Sequence, residues 1–448
     1  MPSPRPSQRG VATYRRHLMG GALAVLNKIA QSRVIDRFGI RKPTERVVFE
    51  ATKTGFRTVG AVSRRFTRKP SSAAPARLHN RTNDLFDLTP TDDQEMIVGV
   101  VREFAHDVVR PGAEKADASC ATPDDVLEQA QELGLTLLEV PEDAGGLGAE
   151  RSMTTAVLVA EALAHGDMGT AVACLSPASV ATALSLWGDG PQQQTYLPSF
   201  TGSEIPAAAL AVAEPRPLFD PFRLETRAVR HDDGYVLNGT KSMVVRAADA
   251  ELFVIAADLD GSGPALFLVE SDVRGLQVEA DPSMGLRAAS LARVICTDVR
   301  LARHALLGDA RPETYAECIR LGRLGWCALA VGTGQAVLDY VIPYVKERQA
   351  FGEPIAHRQS VAFMVANIGI ELEGMRLATY RAAARAEQGK DYAREVGLAR
   401  RLCTEHGMRI GTDGVQLLGG HGFVKEHPVE RWYRDLRAIG VMEGGLLV

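Results

Sequence analysis

The 448-residue sequence predicts an α+β fold, mainly α, arranged as helix, sheet, helix. Three observations carry this reading. Apolar residues recur at three- and four-residue spacing from about 89 to 205, and again from 314 onward. Between about 207 and 305 the period falls to two. Two of the long helical segments then end on glycines, Gly389 and Gly419, where helix C-caps belong. The expected domains are a basic extension (1–82), an N-terminal helical domain (83–206), a small, largely antiparallel β domain (207–305) and a C-terminal four-helix bundle (306–448).

The extension is defined by charge. Residues 1–81 hold 18 Lys and Arg against Asp36, Glu45 and Glu50, a charge of +15, while the remainder carries −19. The net −4 therefore conceals a basic arm on an acidic body. Such an arm suits an anionic surface, either lipid or an acidic partner. Nucleic acid is not the expected partner, because no nucleic-acid motif accompanies the charge. Amphipathic patterning in RVVFEATKTGFRTVGAVSRRF (46–66) and a linker, KPSSAAPAR (69–77), favour a retained arm over a cleaved transit segment. No uninterrupted apolar run reaches the roughly 18 residues that span a bilayer. The six cysteines show no paired spacing, so neither a disulfide framework nor structural zinc is expected.

The helical domain begins at TPTDDQEMIVGVVREFAHDVV (89–109), with Thr89 or Thr91 as N-cap. Helices are expected at 124–134, 151–164 and 171–187, with Pro141 and GGLG (145–148) between them. In the β domain, Asp233-Gly234 and Asn238-Gly239 read as hairpin signals. Three long helices follow, at 314–347, 358–388 and 391–418. Neither GGLG nor GTG (332–334) sits in a strand-turn-helix pattern, so neither is a dinucleotide loop. There is no G-x-S-x-G elbow and no paired-His zinc motif. Arg434-Asp435 reads as a structural ion pair.

Four segments carry chemistry only in combination. They are LPSFTGSEIPAAALAVAEP (197–215), GRLGWCALAVGTG (322–334), ERQAFGEPI (347–355) and DGVQLLGGHGFVKEHPVERWYRDLRAIGVME (413–443). In this order, over roughly residues 85–443, the sequence resembles the acyl-CoA dehydrogenase family. The resemblance implies an FAD-dependent enzyme that removes an α-proton and a β-hydride from a fatty acyl-CoA thioester, in lipid or sterol-type β-oxidation. Such chemistry needs a positioned base and donors to the developing enolate oxygen. A carboxylate in a dry pocket has its pKa raised toward neutrality, which suits it as that base.

On composition alone Glu443 is one acid among 55, and a surface role is the plain reading. The resemblance makes it the base, held in a loop just before a glycine. Some family members place the base on a bundle helix, immediately before the arginine matching Arg323. Here that position is Gly322, which cannot act. By the same resemblance Arg323 borders the thioester and CoA channel. Arg348 and Phe351 would contact the flavin dinucleotide, Arg348 at the pyrophosphate from a neighbouring subunit. Gln416, Gly419 and Gly420 would meet the adenosine-diphosphate half of FAD across a dimer. The plain alternatives are a paired bundle arginine, a helix C-terminal arginine and a helix C-cap, respectively.

Departures from the family pattern gather where the flavin ring would lie. Ala213 replaces a threonine before Glu-Pro, and Leu218-Phe219-Asp220 replaces Gly-Ser-Asp. In KSMVV, Met243 and Val245 stand at the aromatic and hydroxyl positions, Ala350 replaces a glutamine, and Gly445 replaces a threonine. Each hydrogen bond lost at Ala213, Val245 and their neighbours is worth about 0.5–1.5 kcal/mol net. Three losses would weaken FAD by about one to three decades. The alternative is therefore a catalytically impaired subunit that assembles with an active paralogue. Expected partners are an acyl-CoA, an electron-transferring flavoprotein and further subunits, same or different, in a dimer or tetramer. GRLGWCALAVGTG and RDLRAIGVMEG resemble the very-long-chain branch most. The excess of arginine (42) over lysine (9) points to a GC-rich bacterium and a cytoplasmic location, peripheral to the membrane if the arm binds lipid. The mitochondrial matrix is the alternative.

Overall fold

The computed structural model describes residues 89–147 and 151–444. The basic arm, the end of GGLG and Gly445 lie outside the described residues, as do the expectations placed on them.

Helix α1 (Asp92–Phe104) starts at Thr91 rather than Thr89. The Thr91 hydroxyl accepts from the Gln94 N–H at 3.2 Å, and the Gln94 side chain accepts from the Thr91 N–H at 3.0 Å. This capping box, with Asp92, Asp93 and Glu95 in the first turn, satisfies donors at the positive end of the helix. Helices α2 (Arg110–Ser119), α3 (Asp124–Glu132), α4 (Met153–Gly166), α5 (Met168–Trp187) and α6 (Gly190–Tyr196) complete the domain. Asp167 separates α4 from α5. It caps α5 by accepting from the Thr170 N–H at 2.9 Å, and it pairs with Arg431 at 3.0 Å. By length and composition α5 could cross a membrane, but 78% of its apolar window is buried in the protein core.

The central sheet runs β1 (Ala208–Ala211), β2 (Arg227–His231), β3 (Gly234–Val244), β4 (Leu252–Leu259), β5 (Gly263–Glu270), β6 (Leu276–Ala280), β7 (Ala292–Ala302) and β8 (Leu306–Leu307). Its order is β6-β7-β3-β2-β4-β5-β8, with β1 added beside β4. The sheet is mixed, because β1 and β2 both run parallel to β4. Alternation along a strand reports which face is buried, not the direction of its neighbour, so periodicity could not reveal this. The β2–β3 hairpin turns through Asp232 and Asp233, with Gly234 as the first residue of β3. Asn238-Gly239 is no turn. It forms a bulge inside β3, where a Cβ on Gly239 would lie 2.6 Å from the Thr226 Cα. The glycine is there for close backbone approach.

The C-terminal domain holds α7 (Pro312–Glu347), α8 (Gln359–Glu387), α9 (Ala393–Leu418) and α10 (Val429–Leu436). Three of the four are long, and α10 is eight residues. The other long neighbour of α7 is α4, across the domain boundary. Gly332, from GTG, permits that contact: a Cβ there would lie 2.1 Å from the Glu161 carbonyl oxygen. Arg434 and Asp435 do not pair. Neighbours in a helix point about 100° apart. Arg434 instead binds Asp117 at 2.8 and 3.0 Å and Glu430 at 2.8 Å, while Asp435 accepts the Leu286 N–H at 2.6 Å.

Candidate active site

Glu443 follows α10 and one further helical turn, Arg437–Gly440. Its backbone is left-handed (φ 50°), and Gly444 follows at φ 100°. Two guanidinium groups hold this strained loop from behind. Arg323, on α7, donates from Nε and Nη2 to the Glu443 carbonyl at 3.1 and 3.0 Å. Arg400, on α9, donates to the Met442 carbonyl at 2.6 Å and to the Gly444 carbonyl. Three successive carbonyls are thereby pinned, which fixes the direction of the Glu443 side chain. Space for it comes from Gly322, where a Cβ would lie 3.1 Å from Glu443 Cγ and 3.3 Å from Cδ. The glycine that excludes one base position is also what accommodates the other.

The Glu443 carboxyl is buried, and burial pushes its pKa up to about 7. Arg400, Arg323 and the Trp326 indole pull the other way without cancelling it. Its Oε2 has no hydrogen-bond partner. Burial likewise lowers the pKa of Arg323 and Arg400, and their mutual repulsion lowers that of Arg400 further. A carboxyl poised near neutrality is matched to proton abstraction at neutral pH. The Glu443 backbone N–H makes no hydrogen bond among the described residues, leaving one donor beside the carboxyl.

Glu443 opens on a cavity of about 240 Å³, lined on this side by Gly322, Gly325, Trp326 and Met442. Met243 and Val245 line the same cavity. Ala213 is buried in the core nearby, and its carbonyl accepts the Ser242 N–H at 2.9 Å. Beside it, Lys241 and Glu214 form a fully buried pair at 2.9 Å, with Lys241 also donating to the Val212 carbonyl at 3.1 Å. Glu214 accepts the backbone N–H groups of Glu225 and Thr226, each at 2.8 Å. Burial lowers the Lys241 pKa to about 8. This pair ties AVAEP to KSMVV and so holds Met243 and Val245 at the cavity.

Arg348, Phe351, Gln416, Gly419 and Gly420 come together elsewhere, around an open cavity of about 850 Å³. The Arg348 side chain has no ion-pair or hydrogen-bond partner among the described residues. Phe351 is 95% exposed at φ 55°, and Gly419 has φ 59°. An unpaired guanidinium beside an accessible glycine backbone fits a pyrophosphate. The structure thus divides the expected residues between two cavities. Arg323 and Ala213 are the exceptions: Arg323 serves the backbone of Glu443, Ala213 is buried in the core, and neither lines a cavity.

Comparison with known proteins places most of the described chain in one family. The sequence patterns of the acyl-CoA dehydrogenase N-terminal, middle and C-terminal domains match residues 91–204, 209–299 and 313–445. The chain belongs to the acyl-CoA dehydrogenase family. It is 32% identical to the mitochondrial short/branched chain specific acyl-CoA dehydrogenase of Bos taurus over 364 residues, covering 80% of this chain and 83% of that protein. It is 29% identical to the 3-(aryl)acrylate reductase of Clostridium sporogenes, covering 79% and 95%. The butyryl-CoA dehydrogenase structure from Megasphaera elsdenii superposes with a TM-score of 0.75 at 26% identity, covering 81% and 97%. This family member is therefore an oxidoreductase of the acyl-CoA type. Its bovine relative is named for short and branched chains, and the very-long-chain branch gains no support from it.

Two features of the site were not read from the sequence. Arg400 stands in an unremarkable Arg-Arg pair, and the only signal was register. It shares the buried face of α9 with Val396, Ala399 and Cys403. The Glu214–Lys241 pair sits in the two segments that lose hydroxyls, and its charges carry no sequence signal of pairing.

Proposed function

We propose that this chain is an FAD-dependent acyl-CoA dehydrogenase acting on short to medium acyl thioesters. The observation that carries the proposal is the buried Glu443 carboxyl, poised near neutrality on a cavity opposite a glycine. Glu443 takes the α-proton of the thioester onto a carboxylate oxygen. Its backbone N–H is placed to donate to the developing enolate oxygen. FAD, which Arg348 and the Gly419–Gly420 backbone would hold, would supply the acceptor for the β-hydride. Arg323 and Arg400 act through Glu443, holding its loop in the left-handed conformation that aims the carboxyl inward.

Relatives named for short and branched chains support the substrate range. The second cavity supports an oligomeric site. Its residues border a different space from Glu443, so a second copy would supply the dinucleotide side of each FAD, as in the family. An electron-transferring flavoprotein is the proposed oxidant of the reduced enzyme, and the bacterial cytoplasm the proposed location.

The test is FAD titration of the full chain, followed by anaerobic mixing with butyryl-CoA. A yellow complex that loses its visible flavin absorbance on mixing supports the proposal. A protein that stays colourless at saturating FAD, or a yellow one indifferent to thioesters of two to twelve carbons, overturns it and favours the impaired-subunit alternative.

A further inference from the structure

The wall of the 240 Å³ cavity away from Glu443 carries charge that a plain acyl chain does not use. Glu139 and Arg151 form an ion pair there, with side chains 10% and 20% exposed. Thr182 lies alongside and donates to Glu139 Oε2 at 3.0 Å. Glu139, Arg151 and Thr182 all line the cavity that Glu443 lines, together with Ser179. The pair is only half satisfied. Arg151 uses Nε on Glu139 Oε2, and its two terminal nitrogens have no hydrogen-bond partner among the described residues. Glu139 Oε1 likewise has none, since both of its bonds end on Oε2. Neither group is sealed in protein, because neither is among the buried atoms left without partners. One free donor set and one free acceptor therefore sit on residues lining a cavity whose other walls are mostly apolar.

Holding an ion pair against an apolar cavity costs desolvation that a hydrophobic pair would avoid. A site meant only for a saturated hydrocarbon chain gains nothing from it. We infer that the substrate's acyl group carries a hydroxyl beyond its β-carbon, which accepts from Arg151 and donates to Glu139. A hydroxyl is a small group that satisfies both at once. A carboxylate at that place would accept from Arg151 but meet the like charge of Glu139. This inference rests on the proposed dehydrogenation and specifies its substrate.

The pantetheine arm of CoA also carries amides and a hydroxyl, and it shares the chemistry of the expected ligand. The experiment separates the two sources. The FAD-loaded protein is mixed anaerobically with matched acyl-CoA thioesters that are plain, hydroxylated at successive carbons beyond the β-carbon, or ω-carboxylated. Flavin reduction gives the specificity constant for each. The expected result is a preference of at least about tenfold for one hydroxylated thioester over its plain counterpart, with the carboxylated one poorest. Arg151→Met should abolish that preference, and Glu139→Gln should relieve the rejection of the carboxylated one. The inference is overturned if the wild-type protein handles plain and hydroxylated thioesters equally. It is also overturned if Arg151→Met depresses all thioesters alike, which is the mark of a pantetheine contact. In both cases flavin reduction by the plain thioester shows that the proposed function still stands. No reduction by any thioester sinks the function itself. The wild-type comparison needs no variant, so misfolding of either substitution leaves the inference decidable.

Discussion

Replacing Glu443 by glutamine perturbs catalysis and stability in ways that a surface glutamate could not. The substitution removes the base, and positioned bases contribute about 10²–10⁴-fold, so flavin reduction by butyryl-CoA should slow by at least about a hundredfold. In the wild type the same reaction should gain about tenfold per pH unit below about 7 and level off above it. The stability effect follows from the sign of the shift. The folded carboxyl titrates near 7 and the unfolded one near 4.5. Below 4.5 both states are protonated and burial has no titration cost. Between these values the unfolded chain ionises while the folded chain does not, so stability falls as pH rises. Above 7 the loss is complete, and 2.5 units at 1.36 kcal/mol each amount to about 3 kcal/mol. Glutamine does not titrate. The unpaired amide it buries adds a penalty independent of pH, and shared groups such as Asp435 cancel in the comparison. Thermal unfolding of both proteins at pH 5 and pH 8, at saturating FAD, isolates the difference. For a unit of this size 1 kcal/mol corresponds to about 1–2 °C. The unfolded carboxyl is already mostly ionised at pH 5, so about 2.5 kcal/mol of that loss falls between the two pH values, and the variant should gain about 2–5 °C on the wild type. A difference that does not change with pH would mean a solvated carboxyl and would refute the assignment.

Two further outcomes test the surroundings of the base. Gly322→Glu combined with Glu443→Gly should restore flavin reduction to within about tenfold of the wild type, since a Cβ at 322 would lie 3.3 Å from the present Glu443 Cδ; the measure is the anaerobic reduction rate, and activity no better than Glu443→Gly alone counts against a shared position for the two carboxyls. Lys241→Met should cost about 3–5 kcal/mol in urea unfolding, because it strands the buried Glu214 carboxylate, and the double variant with Glu214→Gln should recover part of it.

The order of layers was legible because periodicity reports burial, and burial is what sorts helices from strands here. The start of α1 was legible within two residues, because Thr91 and Gln94 form a capping box that is written in sequence. Strand direction was not legible. β1 and β2 run parallel to β4 through contacts with residues far away in the chain. Asn238-Gly239 misled for a related reason: the same dipeptide serves a hairpin or a bulge, and the choice depends on whether Thr226 crowds the glycine. At the site, Glu443 was identified by the order of four motifs and not by its own chemistry. What raises its pKa is burial, against the pull of Arg323 and Arg400, and what fixes its loop is those two arginines on the backbone carbonyls, Arg400 arriving from a helix some forty residues earlier. The Arg434–Asp435 expectation failed because adjacency in sequence is not adjacency on a helix.

On the proposed function, the two halves of the reaction are unequally provisioned. The proton half is complete. Glu443 is buried, aimed and poised, with two guanidiniums behind it and a free N–H beside it. The hydride half is thinner, since Ala213, Met243 and Val245 offer no side-chain hydrogen bonds where the ring would lie. The backbone compensates in part, because the Glu214–Lys241 pair fixes the segments that carry those residues, and rigid main-chain groups can still contact a ring. What side chains no longer contribute on the ring side must come from the dinucleotide side, where Arg348 and the Gly419–Gly420 backbone remain free to bind. If that side is supplied by a second copy, FAD affinity and subunit association are two expressions of one equilibrium. The missing hydroxyls then do not argue against an enzyme. They make its cofactor more dependent on assembly than a site with a full set of ring contacts would be.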